Sequence, residues 1–177
     1  MVTTYSVNGE EIWRQTSAFL GQGAKFTKET PQEVTTRPEA ERFLDFPGDE
    51  AGTSTATLRF TPESTRVYAE ASGDKNPIHV SKVGAKLFGF PATIAHGMYT
   101  HARMLSVLEG VLSGATRITA DFYKPVILPA TTGVYVDQSG ADSGDNAGVR
   151  GGTRTVTLRK AKDPSTLHVA ARVEPLA

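Results

Sequence analysis

The stretch YAEASGDKNPIH, Tyr68 to His79, followed by AHGM at Ala95 to Met98, decides the fold of this chain. Gly73 frees the backbone for a turn, because it has no Cβ to restrict φ. Asn76 precedes Pro77 and is pushed toward an extended conformation. Asp74 and His79 then stand as two ionisable side chains on one stiff loop. An acid–base pair of this kind is what water addition to a double bond requires. One group takes a proton from water and the other gives a proton to carbon.

The AHGM segment opens a helix, and the spacing predicts that it runs over Gly97 to Leu112. Met98, Ala102, Leu105, Leu108 and Leu112 form one stripe, and Met104, Val107 and Val111 form another. Apolar residues over so much of the circumference predict burial on most sides, with Arg103 and Glu109 at the remaining wet edge. The first N–H groups of a helix have no intrahelical partner and lie at the positive end of its dipole. At Gly97 no side chain blocks approach, so the backbone N–H is placed to receive a thioester carbonyl oxygen as it gains negative charge.

Outward from these segments, Ser54 to Phe60 alternates as a half-buried strand. Thr61-Pro62-Glu63 starts a helix: a capping hydroxyl, a proline suited to the first helical position and an acid at the positive dipole end. Gly73 ends that helix, and Ser81 to Phe88 is a second short one. Beyond Leu112 the period-2 pattern predicts strands over Arg117 to Tyr123, Thr132 to Asp137, Thr153 to Arg159 and Thr166 to Val173. Ser139 to Gly152, rich in Gly, Asp and Ser, reads as a hairpin tip. This order gives an α+β architecture, an antiparallel sheet wrapped around one central helix.

Toward the N-terminus, Thr3 to Ser6 and Glu11 to Leu20 flank Asn8-Gly9, a strong hairpin signal. Gly21 to Thr53 is polar and proline-containing, and reads as a surface linker with one helical turn at Glu39 to Leu44. The expected organisation is therefore an N-terminal hairpin and linker over 1–53 and one compact domain over 54–177.

Composition bounds the function classes. Lys+Arg and Asp+Glu are both 19, so a net charge of zero gives no global pull toward nucleic acid or an anionic membrane. Without cysteine there are no disulfides, thiolate metal sites or cysteine nucleophiles. No apolar run approaches the ~18 residues of a membrane span, and no signal peptide is visible over Met1 to Glu10. A soluble, cytoplasmic protein is expected. Three histidines fall between His79 and His101, but their spacing forms no zinc motif, so no metal is expected.

An aromatic residue, S-G-D-x-N-P-x-H, a short helix and H-G-M opening a central helix form a pattern that resembles the R-specific enoyl-CoA hydratases, or MaoC-like dehydratases, of the hot-dog fold. Phe122-Tyr-Lys-Pro-Val126 looks like the strand that follows the central helix in that family. The resemblance covers Ser54 to the C-terminus. It implies that Asp74 and His79 are the catalytic pair that holds and activates water, that Gly97 is the backbone donor to the oxyanion, and that Asn76 orders the loop. Phe88, Phe90 and Met98 flank that site and are expected to line the acyl tunnel. The implied reaction is reversible hydration of trans-2-enoyl thioesters, of coenzyme A or an acyl carrier protein, to (R)-3-hydroxyacyl thioesters. No redox or metal cofactor is implied.

Two features depart from the family pattern. Asn8 to Gly21 looks like the last hairpin of a preceding hot-dog unit, as in members with two units in tandem, and Pro129-Ala130 stands where many relatives have Pro-Gly and then an acid. The family's site lies beside a second hot-dog unit, so a homodimer or a complex with another such subunit is expected, which also covers an exposed sheet edge. Other readings are a hot-dog thioesterase, disfavoured because Gly97 to Leu112 carries only Glu109 as a carboxylate, and a non-catalytic acyl-thioester-binding subunit. Taken singly, His96 reads as a residue holding the loop before the helix, His101 as a packed polar side chain, Trp13 as a cross-strand packing residue, and His168 as without a role.

Overall fold

The computed structural model describes residues 2–16, 52–112, 114–137 and 153–176. Residues 21–51 of the expected linker, including the turn at Glu39 to Leu44, the end of the second hairpin strand and the tip at Ser139 to Gly152 lie outside the described residues. The chain divides into two units, Met1–Glu41 and Arg42–Ala177.

In the first unit, β1 (Val2–Val7) pairs antiparallel with β2 (Glu10–Thr16). Asn8 and Gly9 take positive φ, 52° and 83°, as a two-residue hairpin turn requires. Trp13 stands opposite Tyr5, with ring centroids 5.4 Å apart. The register shifts between Tyr5 and Ser6, an irregularity that changes which residues share a face.

The second unit is an antiparallel sheet of β3 (Ala56–Phe60), β4 (Thr116–Phe122), β5 (Ala130–Asp137), β6 (Arg154–Lys160) and β7 (Asp163–Pro175), in the order β3-β5-β6-β7-β4. Between β3 and β4 come four helices: α1 (Pro62–Ser72), α2 (Pro77–Val80), α3 (Lys82–Leu87) and α4 (Gly97–Leu105). Phe60, Met104, Leu108, Val134, Val156, Leu158 and Val169 form the core between α4 and the sheet. The expected hot-dog arrangement is the one observed. No helix among the described residues is long and apolar enough to cross a membrane.

Local signals explain most boundaries. Thr61 accepts from the Ser64 N–H at 3.2 Å while the Thr61 N–H donates to the Ser64 hydroxyl at 3.1 Å, a reciprocal cap at the start of α1. Gly73 ends α1 in the left-handed region at φ 75°. β7 begins at Asp163, earlier than expected, because Ala161 and Lys162 make a tight turn that sets Lys160 opposite Asp163.

Three differences from the expectation affect the site. His79 does not sit on an open loop but in the one-turn helix α2, whose N-cap is Asn76 and whose first residue is Pro77. The segment expected as one helix from Ser81 is preceded by this turn, and a Cβ on Gly84 would lie 2.5 Å from the Pro77 side chain, so α2 and α3 approach as closely as they do only because residue 84 is glycine. The central helix ends at Leu105 and tightens into a 3₁₀ turn over Ser106–Leu108 rather than reaching Leu112. Glu109 is already extended at ψ 132° and Gly110 is left-handed at φ 77°, a stop that the apolar run around it conceals. Only one stripe of α4 is covered, with Thr100 and Met104 buried, whereas Met98 on another face is 58% exposed.

Candidate active site

Backbone pairing brings the two signal segments together. The residues around Ile94 are held on both sides: the Ile94 N–H donates to the Ile78 carbonyl at 3.1 Å, and the Ala95 N–H donates to the Val126 carbonyl at 2.9 Å. This sets the start of α4 directly against α2. In consequence one ligand-type atom each from Asp74, His79 and His96 lies within 4.8 Å of the others.

Hydrogen bonds fix the ring states. Nδ1 of His79 lies 2.9 Å from the Ile94 carbonyl oxygen. A carbonyl only accepts, so in the neutral ring Nδ1 carries the proton and Nε2 keeps its lone pair. Burial, the largest influence, lowers the His79 pKa, with smaller opposing effects from the Ile94 carbonyl and Asp74. The ring that faces the site is thus held in the basic, neutral form. Asp74 is half exposed, and its Oδ1 accepts from the Asn76 N–H at 3.2 Å, while Asn76 Oδ1 accepts from the Ile78 N–H at 3.3 Å. Asn76 therefore both shapes the Asp74 turn and caps the helix that carries His79.

His96 is almost fully buried. Its Nε2–H donates to the Asp74 backbone carbonyl at 2.8 Å, and its ring stacks on His79 with centroids 3.7 Å apart and planes 26° apart. Tyr68 packs on its other neighbours, 5.0 Å from both His96 and Tyr99. The three donor types resemble a metal set, but nearly parallel stacked rings send their in-plane lone pairs side by side rather than toward one point ~2.0 Å from both nitrogens. The geometry does not suit a shared ion.

Gly97 is the first residue of α4, and the His96 side chain does not cap it. A Cβ there would press on the Phe122 ring at 3.3 Å. Gly97 and Phe122 divide two clefts. One, of about 330 Å³, includes His79, Phe90, Thr100, Lys124 and His168 in its lining; the other, of about 250 Å³, is lined by Tyr68, Asp74, His96, Gly97, Met98 and Phe122. Of the residues singled out in the sequence, Asp74, His79, Gly97, Phe90 and Met98 meet at these clefts. Phe88 does not: it caps α3, is 64% exposed and lines neither. His168 is the residue that the sequence hid. It lines the His79 cleft only because β7 pairs with β4, and a lone histidine on a distant strand carries no local signal for this.

Three histidines, His79, His101 and His168, have pKa values lowered chiefly by burial from an ordinary 6.5. Protons then bind the unfolded chain better than the folded one in the window below 6.5, so stability is complete above that value and declines as pH falls through it. The lowered carboxyls of Glu63 and Asp163 act only near and below their own ordinary values of 4.5 and 3.8, outside this window. Thermal unfolding followed from about pH 7.5 to about pH 5.5 should show a falling midpoint with proton uptake on unfolding. A constant midpoint over that range would contradict the burial of these rings.

Comparison with known proteins gives the family. The family model described as MaoC like domain matches residues 25–160. The 3-hydroxyacyl-thioester dehydratase X of Mycobacterium tuberculosis is 41% identical over 136 residues, which span 77% of this chain and 45% of that protein. A crystal structure of HtdX from Mycobacterium tuberculosis superposes with a TM-score of 0.67 and 38% identity over 99% of this chain and 60% of that one. The (R)-hydratase from A. caviae involved in PHA biosynthesis shares the fold, with a TM-score of 0.55 at 22% identity over 75% of this chain and 100% of that chain. The chain spans about half the length of the first of these, the curated dehydratase. With the hot-dog sheet, the D-x-N-P-x-H helix turn and the H-G-M helix start all in place, the chain belongs to the MaoC-like domain family.

Proposed function

We propose that this chain catalyses the reversible hydration of trans-2-enoyl thioesters to (R)-3-hydroxyacyl thioesters, in fatty-acid metabolism, with residues 54–177 as the catalytic unit. The observation that carries the reading is that a carboxylate oxygen of Asp74 and a ring nitrogen of His79 lie within 4.8 Å of each other at clefts that also contain the uncapped start of α4. A water held between the two groups supplies both parts of the addition. Its oxygen bonds to the β-carbon, its proton passes to one member of the pair, and a proton returns to the α-carbon. The π bond and one O–H bond break as the C–O and C–H bonds form, so no further reactant is needed. Negative charge developing on the thioester oxygen meets the Gly97 N–H at the positive end of α4. Asn76 positions both reacting groups, and Phe90 and Met98 line the acyl path.

The test is loss of the conjugated thioester absorbance of crotonyl-CoA, with free thiol followed in parallel. Hydration without thiol release is expected. Asp74→Asn and His79→Gln should each lower turnover by roughly 10²-fold or more, with folding little changed. The acid limb of the rate profile should lie below the ordinary histidine value of 6.5, because burial lowers the His79 pKa, and protonation of Nε2 removes a base. Near-normal hydration by Asp74→Asn would remove Asp74 from the catalytic pair; thioester binding without hydration by the unsubstituted chain would make it a binding subunit, and stoichiometric thiol release would make it a thioesterase.

The same reading includes association with a second hot-dog unit, in a homodimer or a mixed complex. Beside the clefts, Met98 is 58% exposed and Phe122 49%, and β4, which carries Phe122, is an edge strand of the sheet. An apolar cleft mouth next to an open edge is a surface that water disfavours and a partner strand covers. Light scattering should return a species larger than one chain, and a fully active monomer would remove this part of the proposal.

A further inference from the structure

His168 lines two clefts: the His79 cleft, and a larger basic cleft of about 640 Å³ that Arg59, Lys124, Lys160 and Lys162 also line. The wall between them is Lys124, Pro125 and His168, which both linings share. His168 is buried within β7, and no step of the proposed hydration uses its ring. Its place in the sheet is irregular. Leu158 of β6 stands opposite Val169, and the next residue, Arg159, stands opposite Leu167, so His168 is the extra residue of a β-bulge. A bulge re-aims a side chain, and bulges are over-represented next to active sites.

The re-aimed ring meets the chain that leaves β4. Past Phe122 the Tyr123 N–H donates to the His168 carbonyl at 2.9 Å and the Lys124 N–H to the Leu167 carbonyl at 3.2 Å. The ladder cannot continue at Pro125, which has no N–H. Nδ1 of His168 lies 2.8 Å from the Lys124 carbonyl oxygen. A carbonyl only accepts, so Nδ1 carries the proton and donates it. The His168 side chain thus holds the last carbonyl before the proline.

The segment so held borders the start of α4 at two points. The Val126 carbonyl accepts from the Ala95 N–H at 2.9 Å. The Phe122 ring lies where a Cβ on Gly97 would meet it at 3.3 Å. Ile94, by contrast, is tied to α2, through the Ile78 carbonyl.

We propose that His168 is a positioning residue for the hydration: by anchoring residues 122–126 from β7 it fixes Ala95 and Gly97, and with them the N–H that meets the charge developing on the thioester oxygen. The inference rests on the enoyl-thioester reading above. His168 touches no reacting atom in this account and acts through the Lys124 carbonyl.

His168→Asn and His168→Gln in the full chain test this. The side-chain nitrogen of Asn, like Nδ1, is bonded to Cγ and donates from the same place. Gln is closer to histidine in size but carries its nitrogen one bond further out. Two readings are taken on each protein: amide hydrogen exchange followed by NMR, and steady-state hydration of crotonyl-CoA. The Asn variant should keep slow exchange at Ala95 and most of kcat. The Gln variant should exchange Ala95 faster while Ile94 is unchanged. It should also lower kcat about tenfold or more with KM little changed, because a misplaced oxyanion donor is felt in the transition state rather than in substrate binding. A residue that only fills space would give the reverse order, with Gln the better replacement, or exchange that rises evenly across the fold; either result would overturn the proposal. Should the Gln variant fail to fold, the Asn variant decides, and faster Ala95 exchange or a tenfold loss of kcat in it overturns the anchoring role. The expected exchange pattern without hydration by the unsubstituted chain would instead overturn the hydratase reading and leave the anchor standing.

Discussion

The contact on which the site depends is the buried His96 ring. It donates one hydrogen bond, 2.8 Å long, to the backbone of Asp74 and lays its face on His79. A single side chain at the start of α4 thereby sets both residues of the proposed pair, one just beyond α1 and one in α2. Its position is in turn inherited from the core. Phe60 meets Tyr99 edge-on at 5.5 Å, Tyr99 stacks on Tyr68, and Tyr68 leans on His96. Aromatic pairs of this kind contribute ~0.5–1.5 kcal/mol each beyond their burial. The ladder therefore ties the geometry of an exposed carboxylate to the best-packed part of the fold.

The backbone around the site completes this constraint with few atoms. Residues Thr93 to Ala95 exchange hydrogen bonds with α2 on one side and with the 126–128 segment on the other. The Ile94 carbonyl is left to accept from His79, which fixes the tautomer as well as the ring position. Desolvation then keeps that ring neutral. Orientation and tautomer of the His79 ring thus follow from one short segment, and burial sets the direction of its pKa.

Much of this was legible in the sequence where the cause is local. Thr61, Pro62 and Gly73 bound α1 as their capping chemistry requires, and Asn8-Gly9 makes the hairpin turn. Asp74, Asn76 and His79 are close in the chain, so the loop that joins them reads directly. The one-turn helix under His79 was missed because Pro77 and Ser81 punctuate it too closely for a periodic signal. The early end of α4 was missed because Gly110 lies inside an apolar run, and because amphipathic spacing does not say which stripe a sheet covers. His168 and the basic cleft were out of reach for a different reason. Arg59, Lys124 and Lys160 meet only through strand pairing across the sheet, and each alone looks like a solvated charge.

The central claim is that one water, held on one side of the substrate by Asp74 and His79, supplies both groups added to the double bond. Hydration of crotonyl-CoA in deuterium oxide, with the product examined by proton NMR, tests this most directly. The account predicts a single deuterium at the α-carbon on the same face as the new hydroxyl, in the (R)-3-hydroxyacyl product. Addition to opposite faces, or equal deuterium on both, would contradict it.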